Sequence, residues 1–394
     1  MPMYKTFASP LKIVSGEGSI KEVPAIVQSF DAKRIMVFAD PGVIDAGIVK
    51  KLEEQLNGAG LEYKIYSELV PEPPLEIGNK ALQAVKDFNA DFVIGIGGGS
   101  SLDIAKAVAV LKENEGNVED YLNLTGTKNF TSKGLPKILI PTTSGTGAEV
   151  TDISVFSLKD TKDAITHENL LADAAVVDPE LTYTLPARIT ASTGVDALTH
   201  AVEALISINA TPLTDALALD AIKRISSNIR TAVWNGGDVE ARKNMAWGSM
   251  TAGMSFYNAG VAGVHALAYP LGGLFKIPHG ESNAVLLPYI FDYIWPSCID
   301  KMVLMADALG VKSEHLNKRE TAIAAVKELK HIVDEVGIPS TLDKFGIEEK
   351  DIEQLAKSGI EQTRLLARSP KPYSLDDIRD RYRAAYHGEL KFGE

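Results

Sequence analysis

Two textures of apolar and polar positions divide the chain. From the N-terminus to about Leu185, short β-branched or aromatic runs alternate with stretches of helical periodicity. The runs are RIMVFA (34–39), YKIYS (63–67), FVIGI (92–96), KILI (137–140) and AAVVD (174–178), each bounded by turn residues. Between them, 43–58 and 76–89 carry apolar residues at helical spacing. Strand–helix alternation predicts a mainly parallel sheet covered by helices on both faces. From Thr190 onward the pattern is helical almost throughout, as in TDALALDAIKRISSNIRTAV (214–233) and RETAIAAVKELKHIVDEVG (319–337). The expectation is an α/β domain over 1–185 and an all-helical domain over 186–394, with a cleft between domains as the default place for a ligand.

At 394 residues and 45% hydrophobic content, the chain can bury such cores. The net charge of -12 argues against a nucleic-acid or anionic-membrane surface. The single cysteine, Cys298, precludes an intrachain disulfide and fits a reducing compartment. MPMYKTFASPLK has no apolar run suited to a signal segment. The longest apolar patch, 195–207, is interrupted by Asp196, His200 and Glu203, so no membrane span is expected. The protein is expected to be soluble and cytoplasmic.

Two segments carry chemistry. In DFVIGIGGGSSLDIAKAV a strand runs into Gly97, Gly98, Gly99 and Ser100 and then a helix. Glycines admit close approach of a diphosphate, and a helix N-terminus offers N–H donors and a favourable dipole. The spacing departs from GxGxxG and lacks a P-loop lysine. A tight strand-to-helix turn with Ser100 as N-cap is the structural alternative. Asp40, ending the RIMVFAD strand, can accept from adenosine ribose hydroxyls and repel a 2′-phosphate, or be a solvated turn residue. PTTSGTGAEVT (141–151) can cradle a phosphate or a carboxamide, or form hydroxyl-rich turns. The second segment spans Asp196 and His200, one helical turn apart, with His265 on a helix starting near Ala262 and His279 in a turn after Pro278. Three imidazoles and a carboxylate suit one Fe²⁺ or Zn²⁺ and leave room for a substrate oxygen; hydrogen-bonded core histidines are the alternative.

In order along the chain, GGGSSLDIAK, PTTSGTGAEVT, ADAAVVDPELTYTLPARITASTGVDALTHAVEA, NAGVAGVHALAYPLGG and IPHGESNAVLLP resemble the iron-containing (group III) alcohol dehydrogenase family. The resemblance implies an N-terminal Rossmann-like α/β dinucleotide-binding domain, an all-α metal domain, and a homodimer or higher homo-oligomer. It implies the metal ligands Asp196, His200, His265 and His279. It also assigns Gly97–Ser100 and Asp103 to the diphosphate loop and its helix, with Thr142, Thr143, Thr146 and Lys162 on the cofactor. The implied reaction is reversible hydride transfer between NAD(H) and a small primary alcohol/aldehyde pair, the metal polarising the substrate oxygen.

Two positions depart from the common pattern. Tyr269 stands where many members have a proton-relaying histidine, and Glu72 in PEPP where many have asparagine. With PARIT and TRLLARSP, these resemble the hydroxyacid-oxoacid transhydrogenase and 4-hydroxybutyrate dehydrogenase branch, in which Arg364 or Arg368 would bind a carboxylate; solvated helix-end arginines are the alternative. A dehydroquinate synthase-type lyase and a silent paralogue are further readings; net NADH accumulation would exclude the first. An unperturbed tyrosine titrates near 10, so proton exit through Tyr269 would favour alcohol oxidation at alkaline pH.

Overall fold

The computed structural model describes residues 5–159 and 161–392; Met1–Tyr4, at the start scanned for a signal segment, lie outside the described residues. The chain forms two compact units. Among the described residues, one comprises Ala8–Thr143 and Gly147–Thr184; the other comprises residues 5–7, Ser144–Thr146 and 185–392.

The first unit is built on a six-stranded, wholly parallel sheet of β1 (Lys12–Ser15), β2 (Arg34–Phe38), β3 (Glu62–Tyr66), β4 (Phe92–Gly97), β5 (Lys137–Pro141) and β8 (Ala174–Val177), in the order β1-β8-β5-β4-β2-β3. Every residue of the central strands β4 and β5 is buried, as a parallel strand covered on both faces requires. The edge strand β1 was not among the expected runs. It is four residues long and is held by pairing with β8, Ile13 opposite Ala175. A separate antiparallel pair, β6 (Ile153–Ser157) and β7 (Lys162–Thr166), was also not expected. The helical stretch 43–58 is two helices, Pro41–Asp45 and Ile48–Gly58, because Gly47 adopts a left-handed backbone between them.

The glycine run leads into α1 (Gly99–Leu111), which is buried from Ser101 onward. This helix carries an internal ion pair, Asp103 Oδ1 with Lys106 Nζ at 2.9 Å. Lys106 donates to the Ala148 carbonyl at 3.0 Å and to the Ile153 carbonyl, while Asp103 Oδ2 accepts from the Val155 amide at 3.0 Å. The pair therefore ties the helix behind the glycine run to the segment that follows PTTSGTG. Loss of either partner would strand a buried charge, a change that costs about 3–5 kcal/mol.

The second unit is helical. α2 (Ala187–Ile206), the helices Pro212–Trp234 and Val239–Ala259, α3 (Gly263–Phe275) and α4 (His279–Ile294) are followed by shorter helices to Leu375–His387. Its core joins Val195, Leu198 and Val202 of α2 to residues such as Ile222, Ile225 and Leu286. Among the described residues no helix is long and apolar enough to cross a membrane.

Glu149 lies on a one-turn helix of the first unit and is buried. Burial pushes its carboxyl from an ordinary 4.5 up to about 7, against its own backbone hydrogen bond and the charge of Lys106. A carboxyl whose folded value is raised stabilises below its unfolded value, and that contribution is lost as pH rises through the folded one. Glu149→Gln is therefore expected to match the parent near pH 4 and become more stable above pH 7, by about 3 kcal/mol. Urea unfolding of both proteins across this range checks it; a constant difference would contradict it.

Candidate active site

Parallel pairing brings the C-terminal ends of β2, β4 and β5 side by side, and these ends carry Asp40, Gly97–Gly99 and Thr142–Thr143. Open parallel sheets bind ligands at this edge. The Gly97 carbonyl accepts from the Thr142 amide at 3.0 Å, joining two of the ends. Gly97 has φ 154°, and a β-carbon there would stand 2.7 Å from Ser101 and 3.1 Å from Asp40 Oδ2. Only glycine fits.

Asp40 is neither free nor merely solvated. Its Oδ1 accepts from the Val43 amide at 3.1 Å, capping the helix Pro41–Asp45, and its Oδ2 accepts from the Ser101 hydroxyl at 3.1 Å. Ser100 is not the N-cap of α1; Gly98 is, and the Ser100 hydroxyl instead accepts from the Glu72 amide at 3.1 Å. Glu72 has φ 50°, uncommon for a side-chain-bearing residue, and its carboxylate binds Lys162 Nζ at 2.8 Å. Two positions noted separately in the sequence thus form one pair beside the glycine run. Both carboxylate oxygens of Asp103 are engaged in the Lys106 and Val155 bonds described above. Thr146 belongs with the helical unit.

In that unit, Asp196 and His200 project from one face of α2. His265 is on the first turn of α3 and Tyr269 one turn later. His279 is not in a turn but is the first residue of α4, with Pro278 at the N-cap. The register of α4 on α2 depends on Gly280, where a β-carbon would lie 2.3 Å from the Ser192 carbonyl oxygen. This contact seats His279 next to the turn of α2 that leads into Asp196.

One ligand atom from each of Asp196, His200, His265 and His279 lies within 4.8 Å of the other three. Asp196 stands 4.0 Å from His200 Nδ1, 3.9 Å from His265 Nε2 and 3.7 Å from His279 Nε2, outside hydrogen-bonding reach of each. The His200 ring is stacked between Phe256 and His265, with centroids at 4.2 and 4.6 Å. Its Nδ1 is buried without a hydrogen-bond partner among the described residues.

The Asn283 amide nitrogen sits among the acceptors, 2.7 Å from Asp196 Oδ1, 3.1 Å from His265 Nε2 and 3.3 Å from His279 Nε2. With only two hydrogens, this one amide cannot satisfy all three acceptors, and none of its contacts is to His200. An orphaned imidazole nitrogen and a carboxylate that no imidazole bonds fit a divalent cation better than a closed hydrogen-bond cluster.

Electrostatics agree. Burial would raise the Asp196 carboxyl, but the three imidazoles and Asn283 outweigh it and hold the group below its ordinary value. Burial pushes the His200 imidazole down to about 4, with Asp196 opposing. Anionic carboxylate and neutral imidazole are the metal-binding forms, so at neutral pH these two ligands need shed no proton.

Family models match both parts of the chain: "Iron-containing alcohol dehydrogenase" over residues 10–179 and "Fe-containing alcohol dehydrogenase family, C-terminal" over 190–386. The chain belongs to the iron-containing alcohol dehydrogenase family. Long-chain-alcohol dehydrogenase 1 of Geobacillus thermodenitrificans (strain NG80-2) is 54% identical over 390 residues, covering 99% of this chain and 98% of the relative. A 1,3-propanediol oxidoreductase structure superposes with a TM-score of 0.93 at 32% identity, covering 97% of this chain and 100% of its own. Sulfoacetaldehyde reductase from Bifidobacterium kashiwanohense, solved in complex with NAD⁺, superposes with a TM-score of 0.88 at 27% identity, covering 98% and 100%.

Within this iron-containing alcohol dehydrogenase, sequence reasoning passed over two residues at the cluster. Asn283 is four residues after His279 on α4, and Glu203 is three after His200 and seven after Asp196 on α2. Helical spacing alone would have put both on the ligand-bearing faces. Tyr269 is half-buried, its ring 6.2 Å from that of His279. Arg364 is exposed, whereas Arg368 is half-buried against Gly260, where a β-carbon would stand 2.6 Å from Arg368 Cδ. His331 and His387 pair with Glu335 and Glu349, away from the cluster.

Asp196→Ala is expected to cut Fe²⁺ or Zn²⁺ retained after dialysis to near background, with helical content unchanged. Elemental analysis and circular dichroism check this; retention equal to the parent would show that the ion sits elsewhere.

Proposed function

We propose that this chain oxidises a primary alcohol to its aldehyde, and runs the reverse reaction, with NAD(H) as hydride partner and a divalent metal at Asp196, His200, His265 and His279. The observation that carries the reading is the convergence of those four ligand atoms, three of them on buried residues and the fourth on half-buried His279. Residues 1–185 serve as the dinucleotide domain and 186–394 as the metal- and substrate-binding domain. Fe²⁺, or Zn²⁺ in its place, supplies Lewis acidity to the substrate oxygen.

The chain's own residues do the remaining work. The backbone amides at Gly98–Ser100 and the dipole of α1 hold the cofactor diphosphate. Asp40, already fixed by Val43 and Ser101, keeps lone pairs for the adenosine ribose hydroxyls and sets a negative charge against a 2′-phosphate. Thr142, Thr143, Thr146 and Lys162 contact the cofactor. The Asp103 carboxylate positions the loop through α1 rather than touching the cofactor. Tyr269, one turn beyond His265, offers a hydroxyl to carry the substrate proton outward. The enzyme works in the cytoplasm as a homodimer or higher homo-oligomer.

The 54% identical relative is named for long-chain alcohols, so chain length belongs in the test. A hydroxyacid such as 4-hydroxybutyrate remains a second reading because Arg368 is a half-buried cation within electrostatic reach of Tyr269 and Glu203. NADH formation should be compared across ethanol, 1-propanol, 1,2-propanediol, 1-octanol and 4-hydroxybutyrate. Turnover of neutral alcohols is expected; preference for 4-hydroxybutyrate would move the substrate class and make Arg368 its carboxylate clamp. Asp40→Gly should narrow the preference for NAD over NADP at least tenfold in kcat/KM. An unmodified enzyme that already favoured NADP would contradict the role given to Asp40.

A further inference from the structure

Glu203 is buried on α2, on the same face as Asp196 and His200, yet contributes no ligand atom to the cluster. Its carboxylate is engaged by the start of α3. Oε1 accepts from the Val264 amide at 2.6 Å, and Oε2 lies 3.4 Å from the His265 amide nitrogen and 2.6 Å from His265 Nδ1. The N-cap residue of α3, Ala262, provides no side-chain cap. The anion that α3 needs at its positive end therefore comes from a neighbouring helix.

A carboxylate can only accept, so the hydrogen between Glu203 and His265 belongs to Nδ1. Nε2 is then left as an acceptor, and it is the nitrogen that faces Asp196 and the Asn283 amide. One buried side chain sets the tautomer of the third ligand and anchors the helix that bears it, from the same helix that supplies the first two.

We propose that Glu203 is a positioning residue for the metal centre: it holds His265 with Nε2 turned to the cation and fixes α3 against α2. The proposal rests on the metal reading of the cluster. It makes Glu203→Gln a sharp probe. Glutamine keeps the shape and can still accept from Val264. Its amide nitrogen, if turned toward His265, forces Nδ1 to accept and puts a hydrogen on Nε2, where the cation must bind.

The experiment is a chelator-competition measurement of Zn²⁺ and Co²⁺ affinity on the full-length wild type, Glu203→Gln and Glu203→Asp. Thermal melting of each metal-free protein accompanies it, together with the visible spectrum of each Co²⁺ form. Loss of such an outer partner typically weakens binding 10–100-fold. Glu203→Gln should lose affinity by about that factor and change the Co²⁺ spectrum, with Glu203→Asp recovering part of the loss. Metal-free Glu203→Gln should melt below the wild type, because its hold on the start of α3 is weakened, so affinities are compared at a temperature where every metal-free variant is fully folded.

A ¹⁵N measurement of His265 in the metal-free wild type should find the hydrogen on Nδ1, and it holds even if Glu203→Gln fails to fold. Equal affinities in wild type and Glu203→Gln, or a hydrogen on Nε2, overturn the proposal. A wild type that binds neither ion overturns the metal reading as well.

Discussion

Two carboxylates, Asp196 and Glu203, are buried on one face of a single helix, and that is the constraint around which the helical unit is organised. Buried anions must be paired or coordinated. Glu203 is satisfied by the amides and imidazole at the start of α3, while Asp196 has the Asn283 amide and three imidazoles that stand too far away to bond it. Such an arrangement is completed by positive charge at the centre, and a divalent ion balances both carboxylates. Gly280 and Pro278 can be understood as the means of delivering His279 to that point on a fixed helix start.

The α/β unit solves a different problem with similar economy. The diphosphate site proposed for this unit needs bare backbone at a helix start, and the glycine run has it. Bare backbone is also loose, so its surroundings are held by side chains that are themselves tied down: Asp40 by Val43 and Ser101, Ser100 by the Glu72 amide, and α1 by the Asp103–Lys106 pair. Lys162 is already paired with Glu72, so the proposed phosphate site would draw mainly on the helix dipole and backbone amides.

Much of this could be read in the chain. The hydrophobic runs located five of the six parallel strands, and the spacing of Asp196 and His200 put them on one helical face. What escaped depended on distant partners. β1 is too short to announce itself and exists because β8, more than 150 residues away, pairs with it. The seating of α4, and with it His279, against α2 requires a glycine opposite the Ser192 carbonyl, a contact that no local pattern encodes. Glu203 and Asn283 had the right spacing, but an interruption in an apolar run looks like noise until its partner across the fold is known. Asp40 does sit at the turn before Pro41, as the N-cap of a short helix, but its carboxylate is bound to Val43 and Ser101 and not simply solvated.

On the function proposed above, redox activity requires a cation at Asp196, His200, His265 and His279. Its most direct test is to strip the protein with a chelator, confirm the fold by circular dichroism, and follow NADH formation from a primary alcohol as Fe²⁺ or Zn²⁺ is added back. Activity that is absent in the stripped protein and returns to saturation at one ion per chain is the predicted result. Undiminished NADH formation by the metal-free protein would contradict it.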